Sequence, residues 1–316
     1  MISIALCTCN GEKYITAQLD SLAAQSLLPD ELVVLDDASV DATLEHVRAF
    51  ALRAPFAVRI YEHQHPLGVS GNFSEAIGCC QGDYIALCDQ DDVWLPDKLQ
   101  KSMLCMAETE RCWGTGMPVL VHTDLRMVDD ALQEIAVSMF RAQGLQNETD
   151  MCRALEVLLV QNYVTGCTVL FNRPLLKLAC PLPVQAVMHD WWLALSAAAG
   201  GRIAFVDEPL ILYRQHGGNQ VGAKKYISWN SVQRLFCWPD VYHHMGQAVC
   251  QSAALGQQLM CRQEQQNVVF SYLKALRSAS VVSVYRSGVH KQGALRNAFF
   301  YGFLFLWRKR FAALIK

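Results

Sequence analysis

Apolar positions in the first hundred residues form short runs that alternate with stretches at helical spacing. The largely apolar run Ile2 to Cys7 is broken by Thr8-Cys9-Asn10-Gly11, and Ile15, Leu19 and Leu22 then recur on one helix face. A second run, Leu32 to Leu35, ends in Asp36-Asp37-Ala38-Ser39-Val40-Asp41 and leads into a helix lined by Leu44, Val47 and Ala51. A third, Val58 to Tyr61, is followed by a Gly-rich loop from His65 to Asn72 and a helix through Phe73, Ala76 and Ile77. The fourth, Tyr84 to Cys88, stops abruptly at Asp89, Asp91 and Asp92, and Pro96 suits the first turn of the next helix. Strands alternating with helices, with polar residues at the strands' carboxyl ends, predict a parallel sheet whose site lies along that edge.

Beyond residue 100 the alternation loosens. Val119 to Asp124 reads as a strand, Met127 to Thr149 as loop with irregular helix, and Ala154 to Val160 as helix. Asn162 to Asn172 is rich in β-formers, Asn172-Arg173-Pro174 opens a short helix, and His189-Asp190-Trp191-Trp192 begins another that ends at Gly200-Gly201. Arg202 to Val206 and Leu210 to Tyr213 read as two strands. From about Ser228 the pattern is helical, which divides the chain into an α/β domain over 1–225 and an α-helical region over 226–316.

The terminal stretch, Phe299 to Arg310, is strongly apolar and then basic. It suits a membrane interface, or equally a helix packed on the domain or in a dimer. The longest apolar stretch, Ala298 to Trp307, is about half of the ~20 residues that span a bilayer. The first residues have no basic segment or cleavage site of a secretion signal and read as a strand.

Composition changes this picture in two respects. With 27 basic and 29 acidic residues the formal charge is −2, so no overall field draws the chain to nucleic acid or other polyanions. Of the 13 cysteines, Cys7, Cys9, Cys79, Cys80 and Cys88 sit mostly inside apolar runs, without the spacing of a zinc site, and read as small core hydrophobes in a reducing, cytoplasmic setting. The remaining anomaly is three acids within four residues, Asp89, Asp91 and Asp92. An exposed acidic turn is one reading. Their position at the end of a strand favours the other, a hard divalent cation with oxygen ligands.

Six blocks in order carry a family resemblance: Thr8 to Gly11, Asp36 to Thr43, Gly68 to Phe73, Asp89 to Trp94, His189 to Trp192 and Tyr213 to His216. Over residues 1–222 the chain resembles the GT-A family 2 inverting glycosyltransferases, and within them the rhamnosyltransferase-like branch. The resemblance implies the GT-A nucleotide-diphospho-sugar transferase fold, a mixed, mainly parallel sheet flanked by helices, here with the C-terminal helical appendage. It implies donor contacts from Thr8, Asn10, Asp36, Asp37, Asn72, Asp89 and Arg214. Thr8 and Asp37 would hold the base, Asp36 would serve the ribose or brace the loop, and Cys9 stands where many relatives have an aromatic. Asp91, Asp89, Asp92 and His216 would hold Mg²⁺ or Mn²⁺, with His216 alternatively touching the diphosphate and Asp89 alternatively the ribose. Arg214 would pair with phosphate, and Asp190 would be the general base.

The implied donor is dTDP-L-rhamnose, with UDP-hexoses as the alternative. The implied acceptor is a surface glycan or its lipid-linked precursor, with homo-oligomerisation and peripheral membrane contact through the C-terminus as further expected partners. Two other classes were weighed. A sugar-1-phosphate nucleotidyltransferase lacks support because Thr8-Cys9-Asn10-Gly11-Glu12 is not a Gly-rich, Arg/Lys-containing phosphate loop. A nucleotide-binding scaffold without chemistry is disfavoured by the presence of Asp89, Asp91 and Asp190.

Overall fold

Alternation of side chains along each strand sends neighbouring residues to opposite faces, and the first strand shows what that does here. In β1 (Ile2–Thr8), Ala5 and Cys7 face one core while Ile4 and Leu6 face the other. Burial on both faces is why the run reads as continuously apolar. The computed structural model describes residues 1–217, 238–261 and 267–315.

The first half alternates as its pattern indicates: β1, α1 (Ile15–Ala23), β2 (Glu31–Asp36), α2 (Thr43–Ala51), β3 (Ala57–Glu62), α3 (Val69–Cys79), β4 (Tyr84–Asp89), the two-residue β5 (Val93–Trp94) and α4 (Lys98–Trp113). There follow β6 (Val119–Val128), β7 (Glu134–Ala136), α5 (Met139–Gln143), α6 (Met151–Leu158), β8 (Leu170–Asn172), α7 (Arg173–Ala179), α8 (His189–Gly200) and β9 (Arg202–Arg214). The sheet order is β3-β2-β1-β4-β8-β6-β9-β5, with β7 paired to β6. Its β3-β2-β1-β4 part is parallel. β8 runs against both β4 and β6, so β6 and its parallel partner β9 point the same way as β4.

Register fixes the site edge. Thr8 pairs with Asp36 and Cys7 with Asp89, which lines up the ends of β1, β2 and β4.

Helices α1, α2 and α4 cover one face of the sheet through Ile15, Leu19, Leu22, Val47, Phe50, Leu99 and Met106. The other face is covered by α3, α6, α7 and α8, and the C-terminal helices continue that same core. These are α9 (Trp238–Cys261), α10 (Asn267–Arg277), α11 (Val281–Arg286) and α12 (Ala294–Ala313). Phe300, Phe303 and Phe311 of α12 are all buried, each worth about 1.5–3 kcal/mol of transfer free energy. Polar ties accompany the packing: Ser252 Oγ donates to the Leu159 carbonyl at 3.1 Å, and the Val187 N–H donates to Gln251 Oε1 at 2.9 Å. The boundary expected at residues 225–226 lies outside the described residues.

Two local expectations change. Asn162 to Asn172 is not one β segment: only Leu170–Asn172 pairs in the sheet, and Gly166–Thr168 forms a 3₁₀ turn. The residues expected as two strands over 202–213 form the single strand β9, with a register shift against β6 where Thr123 pairs with Val206 but Asp124 with Pro209. Among the described residues no helix is long and apolar enough to cross a membrane, and the described cysteines are free thiols.

Candidate active site

At the ends of β1 and β2 the polar side chains hold one another. Asp36, almost fully buried, accepts from Thr8 Oγ1 and Ser39 Oγ, both at 2.6 Å, and from the Ser39 N–H at 2.7 Å. Its carboxylate therefore braces the loop. Asp37 accepts from the backbone N–H groups of Leu67 (2.6 Å) and Gly68 (2.9 Å), which ties the start of α3 to the end of β2. Asn72 strengthens that tie by donating to the Leu35 carbonyl at 3.0 Å. Asn10 adopts φ +49°, a left-handed conformation that asparagine tolerates well, and its Oδ1 accepts from the Val40 N–H at 2.9 Å. The result is a rigid cleft wall built from three strand-to-helix loops.

The acidic loop after β4 is different. Asp92 is completely buried; its Oδ1 accepts the Arg214 N–H at 3.2 Å, and its Oδ2 has no hydrogen-bond partner. Asp89, Asp92 and the Cys167 thiol offer ligand atoms within 4.8 Å of one another. Burial, and then repulsion from Asp91 and Asp190, pushes Asp89 up to about 7, and burial followed by Asp91 and Asp89 pushes Asp92 well above the carboxylate range. Adjacent carboxylates in this condition fit a divalent cation, whose charge removes both penalties. Asp91 instead meets His216, with Nε2 and Oδ2 2.8 Å apart. His216 in turn stacks on Tyr14 at 4.6 Å.

Arg214 clamps backbone: Nε donates to the Asp91 carbonyl at 2.8 Å and Nη1 to the Asp130 carbonyl at 2.6 Å. Beneath the loop lies Lys98, fully buried, with Nζ 3.3 Å from the centre of the Trp94 ring. Burial lowers it to about 7, against the pull of Cys88, Cys167 and Asp92.

Asp190 stands in the first turn of α8. Its Oδ1 accepts from the Trp191 N–H at 2.6 Å and from Asn162 Nδ2 at 3.3 Å. Burial raises it to about 6, moderated by backbone hydrogen bonds from Trp191 and Gly166. At neutral pH it is therefore mostly ionised and still basic enough to take a proton. Asp190 is close enough to the acidic loop to help raise Asp89. His189 beside it is buried against Phe73, ring centroids 3.9 Å apart, with neither ring nitrogen hydrogen-bonded, and burial holds it down at about 3. The edge thus brings together braced strand-to-helix loops, an acid pair suited to a cation, and the raised carboxylate of Asp190.

Residues 3–154 match the profile of glycosyl transferase family 2. The chain carries a glycosyl transferase family 2 domain. An uncharacterised protein of Mycobacterium tuberculosis H37Rv is 31% identical over 220 residues, covering 68% of this chain and 59% of that one. The dTDP-rhamnosyl transferase RfbG of Shigella flexneri is 27% identical over 225 residues, covering 69% of this chain and 74% of that protein. The chain thus spans about three fifths of the length of the mycobacterial relatives. The crystal structure of Staphylococcus aureus TarS 1-349 in complex with UDP-GlcNAc superposes with a TM-score of 0.57 at 17% identity, covering 99% of this chain and 90% of that one, and so shares the GT-A fold.

Several residues of the transferase domain were not singled out from sequence. Gln90, the middle residue of the acidic block, clasps the first loop in both directions: Oε1 accepts the Cys9 N–H and Nε2 donates to the Cys9 carbonyl, each at 2.9 Å. Gly11 must lack a side chain for this, since a Cβ there would fall 2.1 Å from Gln90 Oε1. Gly166 plays a similar part beneath Asp190, where a Cβ would come within 3.0 Å of His189 Nε2 and 3.5 Å of Asp190 Oδ2. An amide among acids and a glycine after the first turn were the signals available for the first pair. Cys167, Asn162 and Lys98 gave none, because their roles depend on tertiary contact alone.

Proposed function

We propose that this protein is an inverting glycosyltransferase that moves a sugar, L-rhamnose from dTDP-L-rhamnose, to a hydroxyl of a surface glycan or its lipid-linked precursor. The observation that supports this most is Asp190: a carboxylate at about 6, at a helix start, within electrostatic reach of the acidic loop of a family 2 domain. The base takes the proton of the acceptor hydroxyl. The acceptor oxygen attacks the anomeric carbon from the face opposite the diphosphate, the carbon–oxygen bond to the diphosphate breaks with its electron pair, and configuration inverts in one displacement.

Donor binding is assigned to the cleft wall of Thr8, Asn10, Asp36, Asp37 and Asn72. Asp37 already accepts two N–H groups, yet a carboxylate has about four acceptor sites, so the N3–H of a pyrimidine base can still be received. Arg214 serves this cleft by holding the acidic loop in place. Asp89, Asp91, Asp92 and His216 would hold Mg²⁺ or Mn²⁺; the three carboxylates are oxygen donors that suit such hard ions, His216 would add one nitrogen, and the Cys167 thiol does not suit them. When bound, the ion supplies positive charge to the diphosphate oxygens of the leaving group.

The choice of dTDP-L-rhamnose over a UDP-hexose rests on the relative named as a dTDP-rhamnosyl transferase. A thermal-shift panel tests it. dTDP and dTDP-L-rhamnose with Mn²⁺ should raise the melting temperature more than UDP, UDP-hexoses or GDP. Stabilisation by UDP-hexoses alone would replace the donor, and stabilisation by none of them would remove the function.

A further inference from the structure

The final fifty residues carry the sharpest charge asymmetry of the chain. Residues 267–316 contain nine lysines and arginines and no aspartate or glutamate, whereas the whole chain has a formal charge of −2. Helix α12 lies within this segment and shows two unlike faces. On the inner one, Phe300, Phe303, Leu304 and Phe311 are buried, and Tyr242 of α9 packs on Trp307 at 4.9 Å and on Phe311 at 5.3 Å. On the outer one, Leu295, Ala298, Gly302, Phe305 and Leu306 are exposed, and the next exposed positions are Lys309 and Arg310. Leu295 is 88% exposed, Leu306 61% and Phe305 57%. Arg296 does not interrupt that outer stripe, because its guanidinium donates to the Gln143 carbonyl.

An outward stripe with no charge until its basic end is unfavourable in water, and it suits the boundary between lipid headgroups and acyl chains. Self-association through this face would offer Lys309 and Arg310 no acidic partner from the same segment of a second copy. An anionic lipid surface neutralises the same charge.

We propose that α12 is the contact through which this protein lies on an anionic membrane. Phe305 and Leu306 enter the interface, and Arg308, Lys309 and Arg310 reach acidic headgroups. Arg308 is already packed over the Phe305 ring at 4.5 Å, so the apolar and cationic elements form one patch. The two sequence alternatives for this stretch, packing on the domain and lying on a membrane, then belong to opposite faces of one helix. The inference does not depend on the sugar-transfer reading.

Sedimentation of the full chain with vesicles tests it without any sugar donor. Partition onto phosphatidylcholine vesicles containing about 30% phosphatidylglycerol should exceed that onto pure phosphatidylcholine at least about tenfold, and should fall about tenfold between about 0.1 M and about 0.5 M salt. Two paired variants, Phe305→Asp with Leu306→Asp and Lys309→Glu with Arg310→Glu, should each lower partition at least about tenfold. Unchanged melting temperatures would show that both pairs still fold. Equal binding to neutral and anionic vesicles, or variants that bind like the parent, would overturn the proposal. So would a parent that binds no vesicles and is a dimer that the Phe305→Asp/Leu306→Asp pair separates, which would give the face to a second copy.

Discussion

At the ends of β1 and β2 the site carboxylates brace backbone: Asp36 takes three hydrogen bonds and Asp37 holds two backbone N–H groups. The end of β4 differs: Asp92 has an unpartnered oxygen and Asp89 is raised to about 7. Asp190 at the start of α8 accepts from Trp191 and Asn162, yet burial still raises it to about 6, and neighbouring His189 has two unpartnered nitrogens. The same residue type thus ties loops together on one side of the edge and is raised by burial on the other. Burial, and for Asp89 and Asp92 also the neighbouring carboxylates, favours a proton or a bound cation.

Substitutions that treat the two sides alike should therefore give unlike results. The largest effect is expected for Asp190→Asn. The amide keeps an acceptor for the Trp191 N–H but cannot take a proton, so kcat should fall by about 10³-fold while donor affinity stays within about twofold. Transfer assays and titration calorimetry check the split. Next is Asp37→Ala, which leaves the N–H groups of Leu67 and Gly68 without partners and should cost about 2–3 kcal/mol in denaturant unfolding.

Asp89→Asn should act with the opposite sign in the metal-free protein. Asp89 holds its proton more tightly folded than unfolded, so its stabilising contribution is complete below the unfolded carboxylate value of about 3.9 and is lost as pH rises toward about 7. Asparagine avoids that loss. The variant's stability advantage over the parent should grow by up to about 1 kcal/mol per pH unit between about pH 5 and 7, then level off. Buried His122 and His189, held down at about 4 and about 3, titrate in the opposite sense, but they cancel in this difference. An advantage that is absent at every pH would show that Asp89 is not under this strain. The smallest effect is expected for Gln90→Ala, which removes two exposed hydrogen bonds to Cys9 and should cost about 1 kcal/mol.

The braced side was also the more legible one in the sequence. Apolar runs ended by turn formers marked β1 to β3, and the polar residues at the ends of β1 and β2 named Thr8, Asp36 and Asp37, because each lies within one strand-to-loop step. The reactive side depends on residues distant in sequence. Asn162 to Asn172 looked like strand because Tyr163, Val164, Thr165 and Val169 are β-formers, yet tertiary packing holds most of it as loop and turn, with Gly166 beneath Asp190. Lys98 stands at the start of α4, and only the fold puts it under the acidic loop. The break at Asp207-Glu208-Pro209 split β9 in the sequence, whereas the chain passes it with a register shift and still delivers Arg214 to Asp92.

The most direct test of the central claim, that Asp190 is a raised carboxylate acting as base opposite a braced donor cleft, is kcat against pH at saturating donor and metal. The rate should climb through an apparent pKa near 6 to a plateau, and Asp190→Asn should show a low residual rate without that limb. A parent profile flat from about pH 5 to 8, or a variant that keeps both the limb and the rate, would contradict it.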